Sequence, residues 1–233
     1  MKNVIITGAA GNLGTEVTEY FLEKGYRVIA TVLNDAEADR LESGTDHRER
    51  LTIEVLDLTD EKTVEAFAGR VIGQYGAIHG VLLLAGGFAM GDIRATSLQD
   101  IKSQLSINFD TAYPMARTFF SHLMERGEGR LVFVGTRPAL NPADGKHMIA
   151  YALAKSLLFR LSEQLNAAAA GTKVVSTVVV PSTIDTPTNR EAMPQADFGK
   201  WVKPRQIAEL LHLVCSETGA PLRETVLKVY GES

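Results

Sequence analysis

Short runs of β-branched and apolar residues alternate along this chain with longer amphipathic ones. The short runs are Val4–Thr7, Arg27–Val32, Leu51–Val55, Gly80–Leu84, Arg130–Val134, Lys173–Val180 and Thr225–Val229. Several are apolar almost throughout, the pattern of a strand buried on both faces. Between them, apolar residues recur at helical spacing. Leu13, Val17 and Phe21 form one stripe, and Val64, Ala68 and Ile72, with Phe67 and Val71 beside them, form another. Leu157, Leu158, Leu161 and Leu165 form a third, in a helix expected to end near Gly171. The long segment from Ser97 to Arg126 contains Pro114, which predicts a break or kink there. Regular alternation of strand and helix predicts an α/β fold: one domain spanning residues 1–233, built on a doubly wound parallel seven-stranded sheet with helices on both faces. Ligands of such sheets bind beyond the carboxyl ends of the strands, where strand order reverses. The turns after Thr7, Leu84, Val134 and Val180 should therefore meet in one crevice.

Two sets of residues give that crevice a chemistry. The first is the loop Thr7-Gly8-Ala9-Ala10-Gly11-Asn12-Leu13-Gly14, between the first strand and the first helix. Glycines there permit a tight bend, close approach of a diphosphate and close helix–strand packing, and the helix N-terminus favours negative charge. This placement predicts a Rossmann-type dinucleotide site using Gly8, Gly11, Asn12, Leu13 and Gly14. The acid that commonly binds the ribose diol of NAD falls at Val32, and neither the loop nor Thr31–Asp35 offers a cation for the 2′-phosphate of NADP. The choice between NAD and NADP stays open, with a lean to NAD. Asp35 is placed either to reach the ribose or to N-cap a helix over Ala36–Leu41. Asp57, beside Leu58, is placed either to accept the adenine amino group or to cap a helix starting near Asp60.

The second set is Tyr151 and Lys155, four apart on one helix face. At roughly 5 Å and an effective dielectric near 20, an ammonium stabilises a phenolate by about 3 kcal/mol, enough to bring a phenol from about 10 toward 8. Tyr20 and Lys24 share the spacing, but they stand where a helix ends at Gly25 and read as a solvated rim. Tyr151 differs because a buried-looking strand ending in Gly135-Thr136 precedes it and the glycine loop opens the chain.

Composition narrows the setting. A formal charge of −4 over 233 residues argues against nucleic-acid and anionic-membrane partners. The lone Cys215 fits a reducing compartment. The first apolar run is strand-length, and no stretch approaches the roughly 18–20 apolar residues of a membrane span. A cytoplasmic protein is expected. The five histidines show no i, i+3 or i, i+4 pairing, so no metal site is expected.

Taken together, the glycine loop, Leu84-Ala85-Gly86-Gly87, Asn108, Thr136, the Tyr151/Lys155 pair and Pro181-Ser182-Thr183 resemble the short-chain dehydrogenase/reductase family over the whole chain. The resemblance implies an NAD(P)-dependent oxidoreductase acting on a small carbonyl or alcohol. Tyr151 would be the general acid or base, and Lys155 would lower its pKa and bind the nicotinamide ribose. Thr136 would orient the substrate oxygen, and Asn108 would hold a water relaying protons. Ala85, Gly86, Gly87, Pro181, Thr183 and Thr186 would border the cofactor. It also implies a homodimer or homotetramer, built through helices equivalent to 109–126 and 149–169. Leu84–Gly91 and Pro181–Trp201 are most similar to the pterin-reducing branch of that family, the dihydropteridine reductases. There Phe88 would stack on a flat ring, and residues 183–203, with Met193 and Trp201, would form a lid; His147 would border the substrate. A non-catalytic redox sensor that binds the dinucleotide is the rival from another class, though it has no need of the Tyr151/Lys155 geometry.

Overall fold

Alternation within each apolar run decides which side of the sheet a residue faces. The computed structural model describes residues 1–232. In β1 (Asn3–Thr7), Val4 and Ile6 join one apolar cluster and Ile5 the other; in β2 (Arg27–Val32), Val28, Ala30 and Val32 face the first and Ile29 the second. The remaining strands are β3 (Leu51–Val55), β4 (Gly80–Leu83), β5 (Glu128–Val134), β6 (Lys173–Pro181) and β7 (Val226–Val229). They form one seven-stranded sheet in the order β3-β2-β1-β4-β5-β6-β7, every neighbour parallel. The chain winds outward from β1 through β2 to β3, then crosses to β4 and winds the other way. The order reverses between β1 and β4, so a crevice opens beyond their carboxyl ends.

Ten α-helices lie among the described residues. They are α1 (Asn12–Glu23), α2 (Asp35–Ser43), α3 (Glu61–Tyr75), α4 (Leu98–Leu105), α5 (Tyr113–Arg126), α6 (Arg137–Leu140), α7 (Pro142–Gly145), α8 (Ile149–Ala168), α9 (Pro187–Ala192) and α10 (Pro204–Cys215). On one face α1 and α10 contribute Val17, Phe21, Ile207 and Leu211. On the other, α3, α5 and α8 contribute Phe67, Phe119 and Leu158. Phe67 and Phe119 meet edge to face at 5–7 Å range, 6.2 Å between centroids. Among the described residues, no helix is long and apolar enough to cross a membrane.

Local expectations shift in four places. The break in the long helical segment is a π-turn at Ser106–Asp110, ahead of Pro114, which sits in the first turn of α5. Proline is tolerated there because the first-turn N–H groups have no helical partner. Asn34, not Asp35, caps α2, its side chain accepting from the Glu37 N–H at 3.0 Å. Asp60 caps α3, while Asp57 accepts from the Thr59 N–H and hydroxyl. The Tyr20/Lys24 pair is no solvated rim. The Tyr20 ring is buried against His212, with the Arg205 guanidinium 4.3 Å and the Lys24 ammonium 5.0 Å from its centroid.

Candidate active site

Three glycines shape the loop after β1, each for a different reason. Gly8 has φ +62°, and a Cβ there would lie 2.8 Å from Ala85 Cα, so it lets the loop press against the turn after β4. Gly14 brings α1 against its own loop, since a Cβ would lie 2.1 Å from the Gly8 carbonyl oxygen. Gly11, the N-cap of α1, is different: a Cβ would meet only the Gly8 oxygen, at 3.3 Å. Protein packing barely requires glycine there, and the residue stands exposed at the helix N-terminus. Thr7 ties the two turns together, its hydroxyl accepting the Leu84 and Ala85 N–H groups at 3.1 and 3.2 Å.

A cleft of about 640 Å³ runs from this loop to Tyr151. Its wall includes Gly8, Gly11, Asn12, Leu13, Gly14, Val32, Asp57, Leu58, Ala85, Gly86, Gly87, Phe88, Asn108, Tyr151, Lys155 and Thr186. The fold thus brings together residues from the ends of β1, β2, β3, β4, β5 and β6. Pro181, Thr183, His147, Met193 and Trp201 lie outside the wall, as does Thr136, which is buried behind it and reaches the site through Tyr151. Trp201 is buried beside Phe198 of the same segment, 4.8 Å between centroids, and its neighbour Val202 joins the core. His147 is exposed, and its carbonyl accepts the Gly91 N–H at 2.9 Å. The segment 183–203 folds over the glycine loop through one side-chain bond, Asn12 Nδ2 to Thr188 Oγ1, at 3.1 Å.

The π-turn aims Asn108 inward. Its Oδ1 accepts the Gly87 N–H at 3.1 Å; its Nδ2 donates to the Gly87 carbonyl at 3.0 Å and to both oxygens of Gln104 at 3.1 Å. Both polar atoms of the amide are thereby engaged with protein, and the side chain holds the Gly87 backbone. Gly86 has no room for a Cβ, which would lie 2.7 Å from Asn108 Oδ1 and 3.1 Å from Lys155 Nζ. Asn108, Gly86 and Lys155 are packed as one unit.

The electrostatics of the Tyr151/Lys155 pair reverse the sequence expectation. Burial pushes the Tyr151 phenol above its ordinary value, and the Thr136 hydroxyl, which can donate to the phenolate, pulls it the other way. Lys155 does not offset this burial. It is buried itself, its pKa is lowered from 10.5 to about 8, and its Nζ donates to the Val134 carbonyl at 2.9 Å. Phe88, 60% exposed, packs edge to face on the Tyr151 ring, with 5.1 Å between centroids.

Sequence reasoning missed Glu37, Thr59, Ile107, Ile184, Thr188 and Asn189, all in the wall. Glu37 had a signal, the Asn34-x-x-Glu37 spacing of a reciprocal helix cap. Among the described residues, no group of three or more His, Cys, Asp or Glu could hold a metal.

Known proteins place the chain among relatives. A dihydropteridine reductase of Dictyostelium discoideum is 28% identical over 90% of this chain and 86% of its own length. A D-threitol dehydrogenase of Mycolicibacterium smegmatis is 27% identical over 99% of this chain and 92% of its own. The structure of ElxO with NADP bound superposes with a TM-score of 0.90 at 20% identity, covering 99% of this chain and 97% of that one. A 3-ketoacyl-(acyl-carrier-protein) reductase from Brucella melitensis complexed with NADH superposes at 0.84, also at 20% identity, over 99% and 97%. The family model for short chain dehydrogenase matches residues 2–197. With that match and this sheet order, the chain belongs to the short-chain dehydrogenase family of oxidoreductases.

Proposed function

We propose that this enzyme reduces a small carbonyl compound, or oxidises the matching alcohol, with a nicotinamide dinucleotide held along the cleft. The observation that carries the reading is the convergence of the glycine loop, buried Lys155 and Tyr151 on one cavity. The residues fit the dinucleotide: a helix N-terminus with a ligand-side glycine lies at one end, and a proton donor at the other. The nicotinamide ring supplies or accepts the hydride.

The protein's own share is position and a proton. Gly11, Asn12 and the first turn of α1 hold the diphosphate; Asp57 and Leu58 border the adenine; Lys155 holds the nicotinamide ribose. In reduction, the Tyr151 hydroxyl gives its proton to the substrate oxygen as charge builds there, and the Thr136 hydroxyl shares that charge. A phenol raised by burial is protonated at neutral pH. In that state it can donate the proton that reduction requires. Asn108 keeps Gly86 and Gly87 in register with Lys155.

A second reading has its own support. Exposed Phe88, set against Tyr151, offers a flat apolar face to a conjugated ring such as a quinonoid pterin, and the Dictyostelium relative is a dihydropteridine reductase. Residues 183–203 serve as the lid in either case. The enzyme acts as one unit over residues 1–233 in the cytoplasm, as a homodimer or homotetramer; the exposed Leu153 and Leu157 on α8 support that association.

The test is Tyr151→Phe. Turnover should fall by about 10²–10⁴ on the preferred substrate, with nucleotide affinity nearly unchanged. A panel of carbonyls and quinonoid dihydropterin separates the two substrates. Full activity in the variant ends the mechanism. Tight nucleotide binding without turnover on any substrate in the wild type would favour a redox sensor.

A further inference from the structure

The position at the end of β2 that commonly reads the cofactor's ribose holds Val32, a buried side chain with no polar atom. Another residue occupies that end of the cleft. Glu37 lies in the first turn of α2, capped by Asn34, and its side chain folds back toward the end of β2. Its Oε2 accepts the Leu33 N–H at 2.9 Å, and the residue lines the cleft. A charge-assisted bond to backbone fixes the carboxylate instead of leaving it to solvent.

The other oxygen, Oε1, is 3.9 Å from Arg40. Arg40 has a closer partner, since its NH2 donates to the Ala10 carbonyl of the glycine loop at 3.1 Å. The charges along the cleft are unevenly placed. Among the described wall residues, Glu37 and Asp57 are the acids, and both stand near the ends of β2 and β3. Lys155 is the one cation in the wall, and it lies beside Tyr151 at the other end.

The geometry points to Glu37 as the residue that sets dinucleotide preference, admitting a free ribose diol and rejecting a 2′-phosphate. The inference rests on the dinucleotide reading above. An acid near the end of the second strand accepts a ribose O–H, the usual role of a carboxylate there. Here α2 supplies it rather than the strand. A 2′-phosphate brings about two negative charges beside two carboxylates, and the nearest cation, Arg40, stands outside the wall and is held on the Ala10 carbonyl. NADH is therefore the cofactor, and NADPH the excluded form.

Binding titrations of NADH and NADPH, followed by nicotinamide fluorescence without substrate, test this on the wild type, Glu37→Gln and Glu37→Ala. The wild type should bind NADH at least about tenfold more tightly than NADPH. Both variants should narrow that ratio about tenfold, Glu37→Gln mainly by tightening NADPH and Glu37→Ala also by weakening NADH. Circular dichroism checks that each variant is folded. Equal or tighter NADPH binding by the wild type overturns the inference and leaves the dinucleotide reading standing. So does an unchanged ratio in folded variants. Failure of the wild type to bind either nucleotide sinks the dinucleotide reading itself.

Discussion

Lys155 should make the protein less stable than it would be without the charge. Its pKa falls from 10.5 in the free side chain to about 8 in the fold, because burial strips water from the ammonium. Above pH 10.5 both states carry a neutral amine and nothing is lost. As pH falls through 10.5, the unfolded chain takes up a proton that the buried amine does not accept until about pH 8. The penalty grows across that window and is complete below it, at about 3 kcal/mol near pH 7. Replacing Lys155 by Met removes the charge and keeps most of the volume. The replacement also strands the Val134 carbonyl, which accepts from Nζ at 2.9 Å, at a cost of about 1–2 kcal/mol. The net expectation is a gain of about 1–2 kcal/mol at pH 7, seen as a melting temperature about 4 °C higher in a chain of this size. At pH 10 the charge penalty shrinks to about 1 kcal/mol, and the advantage should vanish or change sign. Urea unfolding of both proteins at pH 7 and pH 10 measures this. The Tyr26 hydroxyl and the Cys215 thiol, both pushed up to about 12 by burial, titrate alike in the two proteins and cancel in the difference. A variant that is less stable at pH 7, or an advantage that is flat with pH, refutes the argument. The same variant should lose catalysis, because a group kept at such cost is kept for function.

Two further predictions concern the scaffold. His79 and His122 accept the Asn3 and Ile78 N–H groups, and His212 packs among Tyr20, Phe21 and Tyr26; burial lowers the pKa of each below 6.5. Below pH 6.5 the unfolded chain gains protons that these side chains resist, so the melting temperature should drop from pH 6.5 to 5, and less steeply in His212→Leu; a flat profile would count against it. In the glycine loop, Gly14→Ala forces a Cβ to 2.1 Å from the Gly8 oxygen and should destabilise by at least about 3 kcal/mol. Gly11→Ala should stay within about 1 kcal/mol of the parent yet lose at least about tenfold in nucleotide affinity, and equal stability losses in thermal melts of the two variants would contradict the separate roles.

How much of this could be seen in the residues depends on which physical term decides each feature. The strands were legible to within two residues because a strand buried on both faces has to be apolar throughout, and that leaves its mark at every position. The crevice followed from topology, since the turns after β1 and β4 flank the reversal of strand order. Features set by burial were not legible. Spacing along α8 gives the Coulomb attraction between Lys155 and a Tyr151 phenolate, but desolvation of both groups comes from β5, α6 and the turn after β4 closing around them. That term wins, raising the phenol and lowering the amine. The same reasoning explains Trp201. An apolar side chain in a loop can face a ligand or pack within the loop itself, and only its burial against Phe198 decides for the second. Glu37 shows the reverse case. Its spacing from Asn34 announced a helix cap, but a cap becomes part of a binding wall only when the helix starts at the mouth of the cleft. A charge whose partners lie far off in sequence is therefore best read by asking first what surrounds it, and only then what stands four residues away.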